Sequence, residues 1–155
     1  MVHYLIVFLI SMVPLIELRG AIPYGLGFGL APLPTYALAI VGNCLPVPII
    51  LFFVKRVLFW MQGCSVELFR RVADFVIRKA QKNRDRVEKY AALGLFLFVA
   101  IPLPGTGAWT GSLVAAMFDM KKRYAFLSIF LGVLTAGIIM SLITGGILAG
   151  LDFML

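Results

Sequence analysis

Polar residues are confined to a few places along this chain, and long apolar stretches lie between them. Charge-free runs cover residues 1–15, 20–54, 91–118 and 124–151. A helix needs about 20 apolar residues to cross hydrocarbon, so residues 34–54 and 124–151 are predicted to span a membrane. The first run is broken around Pro14 and the third at Pro102-Leu103-Pro104-Gly105-Thr106-Gly107. Residues 55–90 follow another pattern: Phe69, Val72, Val76 and Ala80 recur at helical spacing among Arg and Lys. That predicts an amphipathic connector on the membrane surface.

Composition agrees with this pattern. Of 155 residues, 62% are hydrophobic and 14% are charged, and the mean hydropathy is +1.03. Soluble domains are nearer half apolar, so an all-α integral membrane protein is expected. The first segment lacks a positive n-region and a clean small-x-small cleavage site, so it reads as retained rather than as a signal peptide. The net charge of +7 would point to nucleic acid in a soluble protein, but basic residues also gather on the cytoplasmic side of membrane proteins. No nucleic-acid partner is expected.

The basic residues set a topology. Ten of the fourteen Lys and Arg lie in 55–89, three form Lys121-Lys122-Arg123, and the last is Arg19. If residues 91–118 crossed once, the two basic clusters would face opposite sides. A re-entrant hairpin that turns at 102–107 puts both in the cytoplasm. A shift of 88 residues pairs Pro14 with Pro102 and Tyr36 with Tyr124. The expected fold is therefore an inverted-topology repeat of two re-entrant helical hairpins, each followed by a transmembrane helix. It is one membrane domain: repeat 1 at 1–54, a cytoplasmic amphipathic connector at 55–90, and repeat 2 at 91–155, with both termini outside.

Glu17 and Arg19 are the two charges inside an otherwise apolar, Pro- and Gly-broken stretch. Ionisable groups at that depth cost several kcal/mol and face a partner or a path. On a regular helix they would point apart, whereas in a non-helical tip they converge. Glu17 is the candidate proton- or cation-responsive carboxylate, and Arg19 is the candidate anion contact or the partner of Glu17. The second tip offers Thr106, Trp109 and exposed backbone N–H groups. Asn43 is a polar group inside a span, lining a cavity or capping a kink. Pro14, Gly20 and Pro23 in the first tip, and Pro102, Pro104, Gly105 and Gly107 in the second, are read as tip formers. Gly25/Gly29 and Gly107/Gly111 are small-xxx-small pairs suited to close packing. Cys44, Cys64 and His3 form no ligand cluster, so neither metal, cofactor nor enzymatic activity is expected.

The segments Glu17-Leu18-Arg19-Gly20-Ala21-Ile22-Pro23 and Ile101-Pro102-Leu103-Pro104-Gly105-Thr106-Gly107-Ala108-Trp109-Thr110-Gly111, with Asp85-Arg86-Val87-Glu88-Lys89-Tyr90, resemble the small multidrug export protein family of bacteria and archaea. That family is distantly similar to the DedA/VTT membrane proteins. The resemblance implies paired re-entrant hairpins in a prokaryotic cell membrane, with Glu17 at the acidic position of the first hairpin. The wider group commonly has an arginine after Pro-Gly in the second hairpin, where this chain has Thr106 and Gly107. The expected function is export of a small solute, proton-linked through Glu17. The alternatives are a lipid-phosphate (polyprenyl phosphate) flippase using Arg19 and a non-transporting membrane scaffold. Membrane lipids are expected partners, and a homo-oligomer is compatible with so small a chain.

Overall fold

Each apolar run folds as helix, and each Pro/Gly interruption is where helix stops. The computed structural model describes residues 1–62, 90–103 and 105–154, together with Glu67 and Arg71. Among these, the elements are α1 (Val2–Met12), α2 (Glu17–Gly27), α3 (Pro32–Cys44), α4 (Pro46–Gln62), α5 (Ala91–Ala100), α6 (Ala108–Met117) and α7 (Lys122–Met154), with no strand. Residues 55–62 of the expected connector belong to α4, so helix continues past the boundary read from the charges. Of residues 63–89 only Glu67 and Arg71 lie among the described residues, and they pair at 2.6 Å. Cys64 and Pro104 also lie outside them.

Two stretches are long and apolar enough to cross a bilayer, Pro32–Val54 through α3 and α4 and Lys122–Gly150 in α7. Both begin two residues earlier than the hydrophobic pattern predicted. At the first, Pro32 sits in the opening turn of α3, where its missing N–H costs nothing. α3 gives way to α4 at Leu45 because Pro46 has no N–H to offer the preceding turn. The remaining helices are short. α1 and α2 have 11 residues, and α5 and α6 have 10, so each is only about 15–17 Å long.

Leu18 and Ile22 of α2, Val47 of α4, Val99 of α5, and Ile129 and Val133 of α7 form the centre of the core. Outside it, Leu9, Leu33, Phe52, Leu127, Ile138 and Leu142 are exposed, among many others. So wide an apolar exterior requires lipid, not water.

The two halves share local devices. α1 packs closely on α3 and α5 on α7. A Cβ on Gly42 would lie 2.6 Å from the Phe8 carbonyl oxygen and 2.0 Å from Ser11 Oγ, and a Cβ on Gly132 would lie 3.0 Å from the Phe96 carbonyl oxygen and 2.7 Å from Val99 Cβ. Each glycine thus lets one helix pair approach. α2 and α6 end in the same Schellman turn: Leu30 N–H bonds Gly25 O and Gly29 N–H bonds Leu26 O, as Met120 N–H bonds Ala115 O and Asp119 N–H bonds Ala116 O.

These matches correct the register read from sequence. Before the breaks, Phe8 and Ser11 correspond to Phe96 and Val99, a shift of 88 residues. After the breaks, Gly25 corresponds to Ala115 and Gly42 to Gly132, a shift of 90. The second break is two residues longer in register, so Tyr36 matches Phe126 and not Tyr124.

Candidate functional site between the helix breaks

α1 ends at Met12 and α2 begins at Glu17, leaving residues 13–16 as the first break. Pro14 lies in it, exposed. Leu15 and Glu17 have φ of 73° and 51°, a left-handed conformation that non-glycine residues adopt at a cost of about 1–3 kcal/mol and that clusters at functional sites. Gly20 and Pro23, expected in the tip, lie instead inside α2. There Gly20 leaves room for Ile16, whose Cγ2 would be 2.4 Å from an added Cβ. The second break covers residues 101–107 between α5 and α6. Gly105 and Gly107 take φ of 83° and 127° within it, and Pro102 precedes them, half-buried.

Glu17 is 2% exposed and its carboxylate reaches across to the start of α6. Oε2 accepts the Ala108 N–H at 3.3 Å and Oε1 accepts the Trp109 N–H at 3.1 Å. These are donors that a helix N-terminus leaves free, and the positive end of the helix dipole favours the anion. The fit depends on Gly107, where a Cβ would lie 2.1 Å from Glu17 Oε2.

Arg19 does not pair with Glu17. Its Nη1 donates to the Leu103 carbonyl, and Nη2 donates to Thr106 Oγ1 at 2.6 Å and approaches the Ile101 carbonyl at 3.5 Å. Thr106 Oγ1 lies 2.9 Å from the Ile101 oxygen and 2.8 Å from the Leu103 oxygen, its one proton serving either. Arg19 therefore binds the carbonyl side of the second break and Glu17 the N–H side. The two charges diverge, each toward backbone dipoles of opposite sign.

Trp109 answers in the other direction, with Nε1 donating to the Met12 carbonyl at 3.1 Å. That carbonyl is one of those left free at the C-terminus of α1. Asn43 of α3 is fully buried and its amide lies beside the Glu17 carboxylate. Neither Oδ1 nor Nδ2 completes a hydrogen bond of good geometry. A buried, unpartnered amide is rare and costly.

The structure thus brings together Glu17, Arg19, Asn43, Thr106, Gly107 and Trp109. Sequence reasoning missed the main-chain groups of Met12, Ile101, Leu103 and Ala108 that bind them, although all flank the Pro/Gly interruptions. Of the small-residue pairs, Gly25 and Gly111 do serve packing, against Thr35 and Val99. Gly29 forms a turn, with φ of 71°, and Gly107 makes room for the carboxylate. Among the described residues no group of His, Cys, Asp and Glu could hold a metal ion.

Residues 17–139 match the family described as "Putative small multi-drug export protein". No curated protein and no solved structure matches the chain. The matched stretch begins at Glu17, includes Arg19, Asn43 and the second break, and ends within α7, so this chain belongs to the small multi-drug export protein family, a family of membrane proteins whose name assigns a role in transport.

Proposed function

We propose that this protein exports a small solute through a site between the two breaks, with Glu17 as the proton-binding group. The observation that carries the reading is a carboxylate 2% exposed, held by the N-terminus of α6 and flanked by the unpartnered Asn43. A buried ionisable group inside a membrane protein marks an ion or substrate path.

The two helix–break–helix units are read as re-entrant hairpins entering from opposite sides, as the DedA/VTT resemblance implies. Helices of about 15–17 Å cover half of a hydrocarbon core of about 30 Å, which fits entry, a turn at mid-depth and return. His3 of α1 stacks on Phe28 after α2 at 4.8 Å, so that hairpin starts and ends on one face. Lys122 Nζ lies 3.8 Å from the centroid of the Phe52 ring. That contact places Lys122 beside α4 three residues before the basic stretch begins at Lys55, and supports a cytoplasmic position for both clusters with the termini outside. Arg19 is committed to Leu103, Ile101 and Thr106, which favours a solute over a lipid phosphate as the cargo.

Purified protein in proteoliposomes provides the test, with ethidium efflux driven by an imposed pH gradient. The wild type is expected to carry flux that E17Q abolishes while still folding. Wild-type flux in E17Q overturns the proposal.

A further inference from the structure

Asn43 is buried deeper than Glu17, and both ends of its amide lack partners. Keeping such a group in place of an apolar one is costly, and Val133, 90 residues further on and buried alike, is a hydrocarbon. That cost points to a role beyond packing.

The chemistry of an amide identifies what that is. A carboxylate is acceptor-only, whereas a carboxylic acid needs an acceptor for its O–H. The backbone around Glu17 meets only the first need: Ala108 and Trp109 present N–H donors. An acid formed in this place would point its proton at donors. The asparagine amide holds a strong donor and a strong acceptor on one rotatable group. It lies beside the carboxylate, and neither atom completes a hydrogen bond of good geometry.

We propose that Asn43 is the positioning residue for both protonation states of Glu17, donating Nδ2–H to the carboxylate and, after rotation of the amide, accepting the acid's O–H at Oδ1. On protonation, the proton binds a Glu17 oxygen, the Asn43 amide turns, and the hold of Glu17 on the start of α6 weakens. The contact that loosens joins the two breaks, so binding a proton is converted into freedom between the halves of the site. Other titratable groups on the packed helices do not compete for this role. α1 offers His3 and Tyr4, α3 offers Tyr36 and Cys44, and α7 offers Lys122, Arg123 and Tyr124 in its first turn and Asp152 in its last. His3 is bonded to the Tyr24 hydroxyl and Tyr36 to the Leu134 carbonyl. Among the described residues Arg19 is the charged group that acts on Glu17, and α6 carries none.

This inference rests on Glu17 as the proton-binding group, and infrared titration of purified protein in nanodiscs separates the two. The carboxylic-acid band that E17Q removes reports the Glu17 proton directly, without transport. N43L, close in size, is expected to fold and to shift the frequency of that band, because the acid loses its acceptor. N43D, nearly isosteric, is expected to turn a single titration step into the broad two-step titration of a coupled carboxylate pair. An acid band unmoved in N43L, or a single unchanged step in N43D, overturns the role of Asn43 and leaves the Glu17 proposal standing. Ethidium flux that survives in E17Q, with the band still shifted in N43L, overturns Glu17 as the coupling group while keeping its partnership with Asn43.

Discussion

The two helix–break–helix units share turns and close helix crossings, yet equivalent positions carry opposite chemistry. Glu17 in the first half corresponds to Gly107 in the second, Arg19 to Trp109, Asn43 to Val133 and Thr35 to Ala125. The contacts nevertheless run in both directions. Arg19 reaches the carbonyls of Leu103 and Ile101, and Trp109 reaches the carbonyl of Met12. A shared architecture therefore presents free helix-end groups from both halves, and the first half supplies the charge that binds them. The asymmetry has a steric side. An added Cβ at Gly107 would stand 2.1 Å from the Glu17 carboxylate, so a side chain there would displace the carboxylate from the start of α6.

The sharpest way to break this comparison is G107A. It combines a positive φ with a collision against a buried carboxylate, and is expected to cost roughly 2–4 kcal/mol. G94A is the control. Gly94 lies inside α5 with open space around it, so alanine there should be neutral or stabilising by up to about 1 kcal/mol. Thermal unfolding of both variants in nanodiscs measures the difference, and equal melting temperatures would remove the steric argument.

Next in size is R19M, which removes charge-assisted bonds to the second break. A loss of about 2–3 kcal/mol is expected, with faster hydrogen exchange confined to the residues around 101–107. Uniform exchange throughout the protein would show that Arg19 does not hold that break.

G42A and G132A test the equivalence of the halves. Each forces a methyl group against a facing helix, and each is expected to cost about 1–3 kcal/mol. Unfolding midpoints that fall in only one of the two would deny that the crossings are alike. The smallest effect is expected for W109F, which gives up the indole bond to Met12 and should lose about 1 kcal/mol. A loss as large as that of R19M would mean that the tryptophan, not the arginine, is the stronger link.

Much of the architecture was legible in the chain because lipid imposes simple demands. Apolar runs marked the spans, and Pro and Gly marked where helix had to stop. The charges just after the first break and the polar groups around the second stood out against their apolar surroundings, so the side chains that meet there could be named in advance. The sequence reading of a repeat rested on a spacing of 88 residues, and the turns and crossings that the two halves share after the breaks fall at 90. Hydrophobicity does not count the residues in a turn, and the two extra positions became visible only through matched hydrogen bonds at Gly25/Ala115 and matched crossings at Gly42/Gly132.

Sequence alone thus determined that two charges lie in a broken apolar segment and that groups around a second break await them. Their partners were decided only by the tertiary structure. Spacing left open whether Glu17 and Arg19 would pair, because a gap of two residues brings side chains together or apart according to backbone dihedrals. With Glu17 in a left-handed conformation at the start of α2, the carboxylate meets the free N–H groups of α6 and the guanidinium meets the carbonyls after α5. Backbone dipoles carry no signature in the amino-acid sequence, so only the folded chain shows which end each charge binds.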